Sequence, residues 1–133
     1  MIAQAKIGSG KTIAFLISML LHVNSEEKVL LTICLCHTRE LVMQTFELFE
    51  KMNKYTKFEG DIYVKNVEEN EKQPSKTAQL LFGTSSSIDY FITKGEIDVS
   101  HVNFLVVDEA DLLLDRKIPL FPPTAKLMNK LLP

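Results

Sequence analysis

The sequence lacks a surplus of charge, a long apolar run and all but two of the cysteines it could carry. Fifteen Lys and Arg against 17 Asp and Glu leave a net charge of -2 and a pI of about 5.9, so no global basic field draws the chain onto polyanions. Any contact with nucleic acid must therefore be local. No apolar run approaches the ~20 residues a membrane span needs. The opening "MIAQAKIGSGKT" has no charged region followed by an apolar core of the secretory kind, so a soluble intracellular protein without membrane contact is expected, nuclear or cytoplasmic. Cys34 and Cys36, two apart in "LLTICLCHT", would point to one face of a strand. As a zinc site with His37 they lack a second ligand pair, and small buried hydrophobes are the expected reading.

What is present is a chain of 133 residues, enough for one modest domain with a real core, 46% hydrophobic and 24% charged. Such a composition excludes only extremes. "KVLLTICLC" (28–36), "AQLLFG" (78–83) and "VNFLVVD" (102–108) are continuous apolar runs, expected of strands buried on both faces of a parallel sheet. "KTIAFLISMLLHV" (11–23) and "RELVMQTFELFEKMNKY" (39–55) carry apolar residues at helical spacing, Leu41, Phe46, Leu48, Phe49 and Met52 in the second. Strands alternating with helices imply right-handed βαβ units. "DIYVKNV" (61–67) predicts a short strand, and "EENEKQPSK" (68–76) a solvated loop. No internal repeat or domain linker is visible.

The chemistry concentrates in two stretches. "AKIGSGKT" (Ala5, Lys6, Ile7, Gly8, Ser9, Gly10, Lys11, Thr12) fits the phosphate-loop pattern G-x-x-x-x-G-K-[ST], with Ala5 in place of the first glycine. Gly8 and Gly10 let the backbone turn N–H groups onto phosphate oxygens at the start of a helix. Lys11 would reach the β and γ phosphates, and the Thr12 hydroxyl a Mg²⁺ ion. After the third strand comes "DEAD" (108–111), carboxylates at the sheet edge where such loops open. Asp108 would bind Mg²⁺ directly or through water, and Glu109 would orient or deprotonate the attacking water. Asp111 could instead cap the next helix.

In that order the motifs resemble the first RecA-like domain of the DEAD-box RNA helicases. "AKIGSGKT" resembles that family's nucleotide loop, which normally begins with alanine. "HTREL" (37–41) resembles its first RNA-contact motif, with histidine where proline is commoner, and "DEAD" followed by "LLLD" resembles its acidic motif. The resemblance implies an α/β, three-layer RecA-like P-loop NTPase domain over 1–133, with a central, mainly parallel sheet incomplete at both ends and no second RecA-like domain. It implies ATP and Mg²⁺ as cofactors and coupling of ATP binding and hydrolysis to remodelling of RNA duplexes. Thr38, Arg39 and Thr84 would touch the backbone of single-stranded or duplex RNA, and Asp111 would couple the motifs. Arg39 at a helix start could instead pair with a nearby carboxylate. Messenger-ribonucleoprotein proteins are implied as partners. "CHTREL" resembles one messenger-export branch of the family, which usually has cysteine where Ala110 stands, and "KYT" (54–56) with the terminal "LLP" (131–133) resembles another.

The family's Thr-Pro-Gly-Arg is here Thr84, Ser85, Ser86 and Ser87, which removes a preset turn and a position of close backbone approach, both of which bear on grip on RNA. Ile7 replaces the usual serine or threonine, and the paired glycines expected between 58 and 77 are reduced to Gly60. Without the arginine fingers of a second domain, worth about 10³ to 10⁵ in rate, the isolated chain is expected to lack turnover. The alternative is a non-catalytic, helicase-derived interaction module. An unrelated phosphate-loop NTPase such as a nucleotide kinase is disfavoured by "HTREL".

Overall fold

The computed structural model describes residues 10–24, 26–64, 75–113, 115–117 and 121–131. Of the phosphate loop, Ala5 to Ser9 lie outside the described residues, as do the stub before them and most of the charged loop expected at 68–76. In chain order the elements are α1 (Lys11–Leu21), β1 (Thr32–Cys36), α2 (Arg39–Asn53), β2 (Gly60–Tyr63), β3 (Leu80–Thr84), α3 (Ser85–Thr93), β4 (Phe104–Val107), α4 (Ala110–Leu113) and α5 (Phe121–Leu131).

The described strands form one four-stranded sheet in the order β2-β3-β1-β4. Every pairing is parallel. Alternation along the inner strands splits the core in two. Ile33, Leu35 and Leu81 pack with Ile88, Phe91 and Leu127 from α3 and α5 on one face. Cys34, Cys36, Leu80 and Phe82 pack with Leu16, Met19, Val42 and Phe49 from α1 and α2 on the other. This is the three-layer α/β architecture that the motifs imply.

The three apolar runs do not fare alike. β1 and β3, in the middle of the described sheet, are buried along their whole length. β4 is only partly buried because it forms an edge of that sheet, and β2, the other edge, alternates. Strand pairing also begins later than the apolar run at 28–36 suggests: Leu30 and Leu31 are buried, but regular strand starts at Thr32. Cys34 and Cys36 are fully buried small residues, their sulfurs 4.0 Å apart, and burial together with the neighbouring thiol holds the Cys34 pKa well above its ordinary value. Along the outer side of α1, Ile13, Ile17 and Leu21 remain exposed.

Two helices have no forewarning in the hydrophobic pattern. α3 begins directly after β3, capped by Thr84, whose side chain accepts a bond from the Ser87 amide. α5 carries Pro122 and Pro123 in its first turn, where the missing N–H groups have no intrahelical partner in any case. Buried hydroxyls join the two, with Thr124 donating to Ser85 Oγ at 2.7 Å.

Candidate nucleotide and nucleic-acid site

Parallel register decides which side chains meet. Cys36 pairs with Thr84 and Leu35 with Val107, so β1, β3 and β4 end side by side. The Asp108 amide continues the ladder by donating to the Leu35 carbonyl at 2.9 Å. One sheet edge thus gathers the acidic stretch, the start of α2 and the start of α3.

α1 reaches the same edge through Gly10, which holds a left-handed φ of 81° that suits glycine. Among the described residues no side chain caps the N-terminus of α1, and no acidic residue lies in its first turn. Lys11 opens the helix, and Thr12 follows on the same turn. The Lys11 ammonium lies 3.0 Å from Asp108 Oδ1, with side-chain exposures of 31% and 7%. This hydrogen bond holds the Lys11 pKa above its ordinary value against the opposing effect of partial burial, and the charges of Asp108, Glu109 and Asp111 add to it.

Glu109, next in the chain, has φ of 52°, a left-handed conformation uncommon for a residue with a Cβ. Its carbonyl accepts the amides of Leu112 and Leu113, which starts α4. Asp111 is the second residue of that helix, so it does not cap it, contrary to the alternative drawn from sequence. The Glu109 carboxylate meets a residue that sequence reading weighed only as a zinc ligand and a motif position. His37 Nδ1 lies 3.1 Å from Glu109 Oε2. That nitrogen is shielded from solvent and has no partner of hydrogen-bond geometry, so the contact is one of ion-pair distance alone.

The remaining site residues stand along the edge. Thr38 caps α2 by accepting from the Leu41 amide at 3.2 Å, and Arg39 is the exposed first residue of that helix. Thr84 is 9% exposed, and its hydroxyl donates to Ser87 Oγ at 2.8 Å. In place of the family's Pro-Gly-Arg, Ser85, Ser86 and Ser87 form the first turn of α3, with Ser85 and Ser87 buried. Lys11, Asp108 and Glu109 therefore come together with His37, while Thr38 and Arg39 start α2 and Thr84 caps α3 after neighbouring strand ends.

The DEAD/DEAH box helicase family model matches residues 1–132. The chain belongs to this family. The ATP-dependent RNA helicase DBP5 of Yarrowia lipolytica is 38% identical over 115 residues, covering 86% of this chain and 23% of that protein. Among solved structures, S. cerevisiae Dbp5 bound to RNA and ADP BeF3 superposes with a TM-score of 0.89 at 34% identity, over 98% of this chain and 33% of that one. A second S. cerevisiae Dbp5 structure, a variant bound to Nup159, a Gle1 variant, IP6 and ADP, gives 0.85 at 32%, over 98% and 34%. The chain thus spans about a quarter of the curated relative's length and a third of each solved chain. Among its described residues, no helix is long and apolar enough to cross a membrane.

Proposed function

We propose that this chain is the ATP-binding, first RecA-like half of an RNA helicase, and that the whole protein couples ATP binding and hydrolysis to remodelling of RNA duplexes. One observation carries the reading: the 3.0 Å contact between Lys11 Nζ and Asp108 Oδ1, which joins the phosphate-loop lysine to the acidic motif at one sheet edge. The two side chains neutralise one another. Lys11 would hold triphosphate oxygens, and Asp108 would hold a cation.

The donor set suits Mg²⁺. A Thr12 hydroxyl and a single Asp108 carboxylate are hard oxygens, and Mg²⁺ favours one or two carboxylates completed by phosphate and water over an all-protein cage. When bound, the ion neutralises charge on the phosphates. Glu109 is the residue we assign to orienting the attacking water, and Asp111 to linking this motif to its neighbours.

RNA is assigned to the adjoining helix starts. α2 and α3 leave neighbouring strands at Cys36 and Thr84, so two helix N-termini lie side by side and favour phosphate without reading bases. Thr38 and Arg39 supply the main contacts, and the α3 backbone stands in for the missing Pro-Gly-Arg. Thr84 contributes less through its hydroxyl, which is already engaged. Turnover needs a second RecA-like domain to supply arginines, so the isolated chain binds nucleotide without hydrolysing it. The Dbp5 structure with Nup159 and a Gle1 variant supports protein partners of that kind for the whole protein, and messenger-ribonucleoprotein proteins are the finer assignment we make.

Binding of a fluorescent ATP analogue with Mg²⁺ tests the reading. Lys11→Ala abolishes binding and Asp108→Asn weakens it; a Lys11→Ala protein that binds like the parent refutes it. For RNA, Arg39→Ala weakens binding of oligo(U) and reduces the salt slope by about one. The engaged Thr84 hydroxyl favours one competing reading, a non-catalytic interaction module. Retention of single-stranded RNA that depends on ATP excludes it.

A further inference from the structure

His37 lies between the two halves of the site. It follows the last residue of β1 and precedes Thr38, the cap of α2, so its backbone is continuous with the helix start assigned to RNA. Its ring faces the other half. The β1–β4 register that pairs Leu35 with Val107 carries on past the strand ends and brings His37 opposite Glu109, 3.1 Å from Nδ1 to Oε2. Side-chain exposures of 21% and 28% leave both groups partly shielded from water, where an electrostatic contact is screened less than at an open surface. Glu109 is itself held at φ 52°, a conformation that persists only where neighbours over-determine it.

We propose that His37 is a positioning residue for Glu109: through its ring, RNA seated on Thr38 and Arg39 is felt at the carboxylate that orients the attacking water. The inference rests on the functional reading above and adds a specific route to it. Proline, the residue commoner at this position in the resembling motif, has neither an N–H nor a side-chain nitrogen to offer a carboxylate. The link is therefore a property of this chain's own histidine.

Solution NMR on the 133-residue chain reads the link without any need for turnover. Ring ¹⁵N resonances report His37, and the side-chain ¹³C carboxyl resonance reports Glu109. Glu109→Gln shifts the His37 ring and leaves those of His22 and His101 in place; an unmoved His37 ring overturns the inference. Adding oligo(U) moves the Arg39 amide and, in the parent, the Glu109 carboxyl. That carboxyl response is lost in His37→Ala and restored in His37→Asn, whose amide nitrogen can stand near the position of Nδ1. The Arg39 amide moves in all three, and backbone amide spectra confirm that each variant is folded. A carboxyl response that survives in His37→Ala overturns this inference alone. An Arg39 amide unmoved by RNA in the parent overturns the RNA reading and this inference with it.

Discussion

Gln79 shows how much one side chain can hold. It has no solvent exposure, and its amide nitrogen donates to the carbonyls of Asn24 and Glu27 at 2.8 and 2.9 Å. Its Oε1 accepts from the Glu59 amide at 3.1 Å. One residue before β3 therefore fixes the approach to β1 and the approach to β2. Gln79→Leu leaves the Glu27 carbonyl and the Glu59 amide without their partner, while the Asn24 carbonyl keeps the Glu27 amide, and costs about 2 to 4 kcal/mol, seen as a lower urea midpoint at unchanged slope. The site residues differ in how legible they are. Lys11 and Asp108 stand in motifs whose chemistry dictates their spelling, so sequence alone leads to them. The His37 contact depends on the register between β1 and β4, which local sequence does not encode, and Thr84 reads as a ligand contact until its hydroxyl is seen to be engaged within the protein.

At the scale of elements, two glycines set how closely the layers approach. A Cβ on Gly83 would lie 2.5 Å from the Tyr63 carbonyl oxygen, which is backbone and cannot give way. On Gly60 it would meet the Phe49 ring, which is itself fully buried and packed against Phe46 and Phe82. Gly83→Ala and Gly60→Ala therefore each cost about 2 kcal/mol or more, which parallel denaturant titrations check. Ahead of β3, Glu59 accepts from the Ser75 and Thr77 hydroxyls at 2.5 and 2.8 Å, which holds its pKa below the ordinary 4.5. A carboxyl with a depressed folded pKa contributes stability that is present above its unfolded pKa and lost as pH falls through the folded one. Glu59→Gln accordingly flattens the loss of stability below about pH 4.5, with little change in slope near neutrality. The periodic helices α1 and α2 and the buried strands were readable from residue pattern, since burial on a helix or sheet face leaves a period in the sequence. α3 was not, because "TSSS" spells a turn as readily as a capped helix start, and α5 was not, because paired prolines read as a break unless they fall in a first turn.

For the whole molecule, the two thiols give a direct measure of cooperativity. Cys34 and Cys36 are fully buried in the middle strand of the α1/α2 side of the core, and the Cys34 thiol resists ionisation. A thiol-reactive dye labels them only at the rate of global unfolding, and the labelling rate rises with urea along the unfolding limb measured by circular dichroism. Labelling much faster than unfolding would mean that α1 or α2 lifts off the sheet as a separate unit.

The strand order also bears on how the protein is made. β2 meets β3 over a separation of 20 residues, Gly60 to Leu80, but among the described strands β1 has no partner until β3 exists, and Cys36 pairs with Thr84, 48 residues later. At roughly 5 to 20 residues per second, synthesis leaves the uncharged segment Thr32–Cys36 unpaired for about 2 to 10 s. During that interval the future centre of the sheet is a sticky ribbon bearing two free thiols. Its safe passage depends on the chaperones and reducing power of the cell around the ribosome more than on any contact in the finished fold.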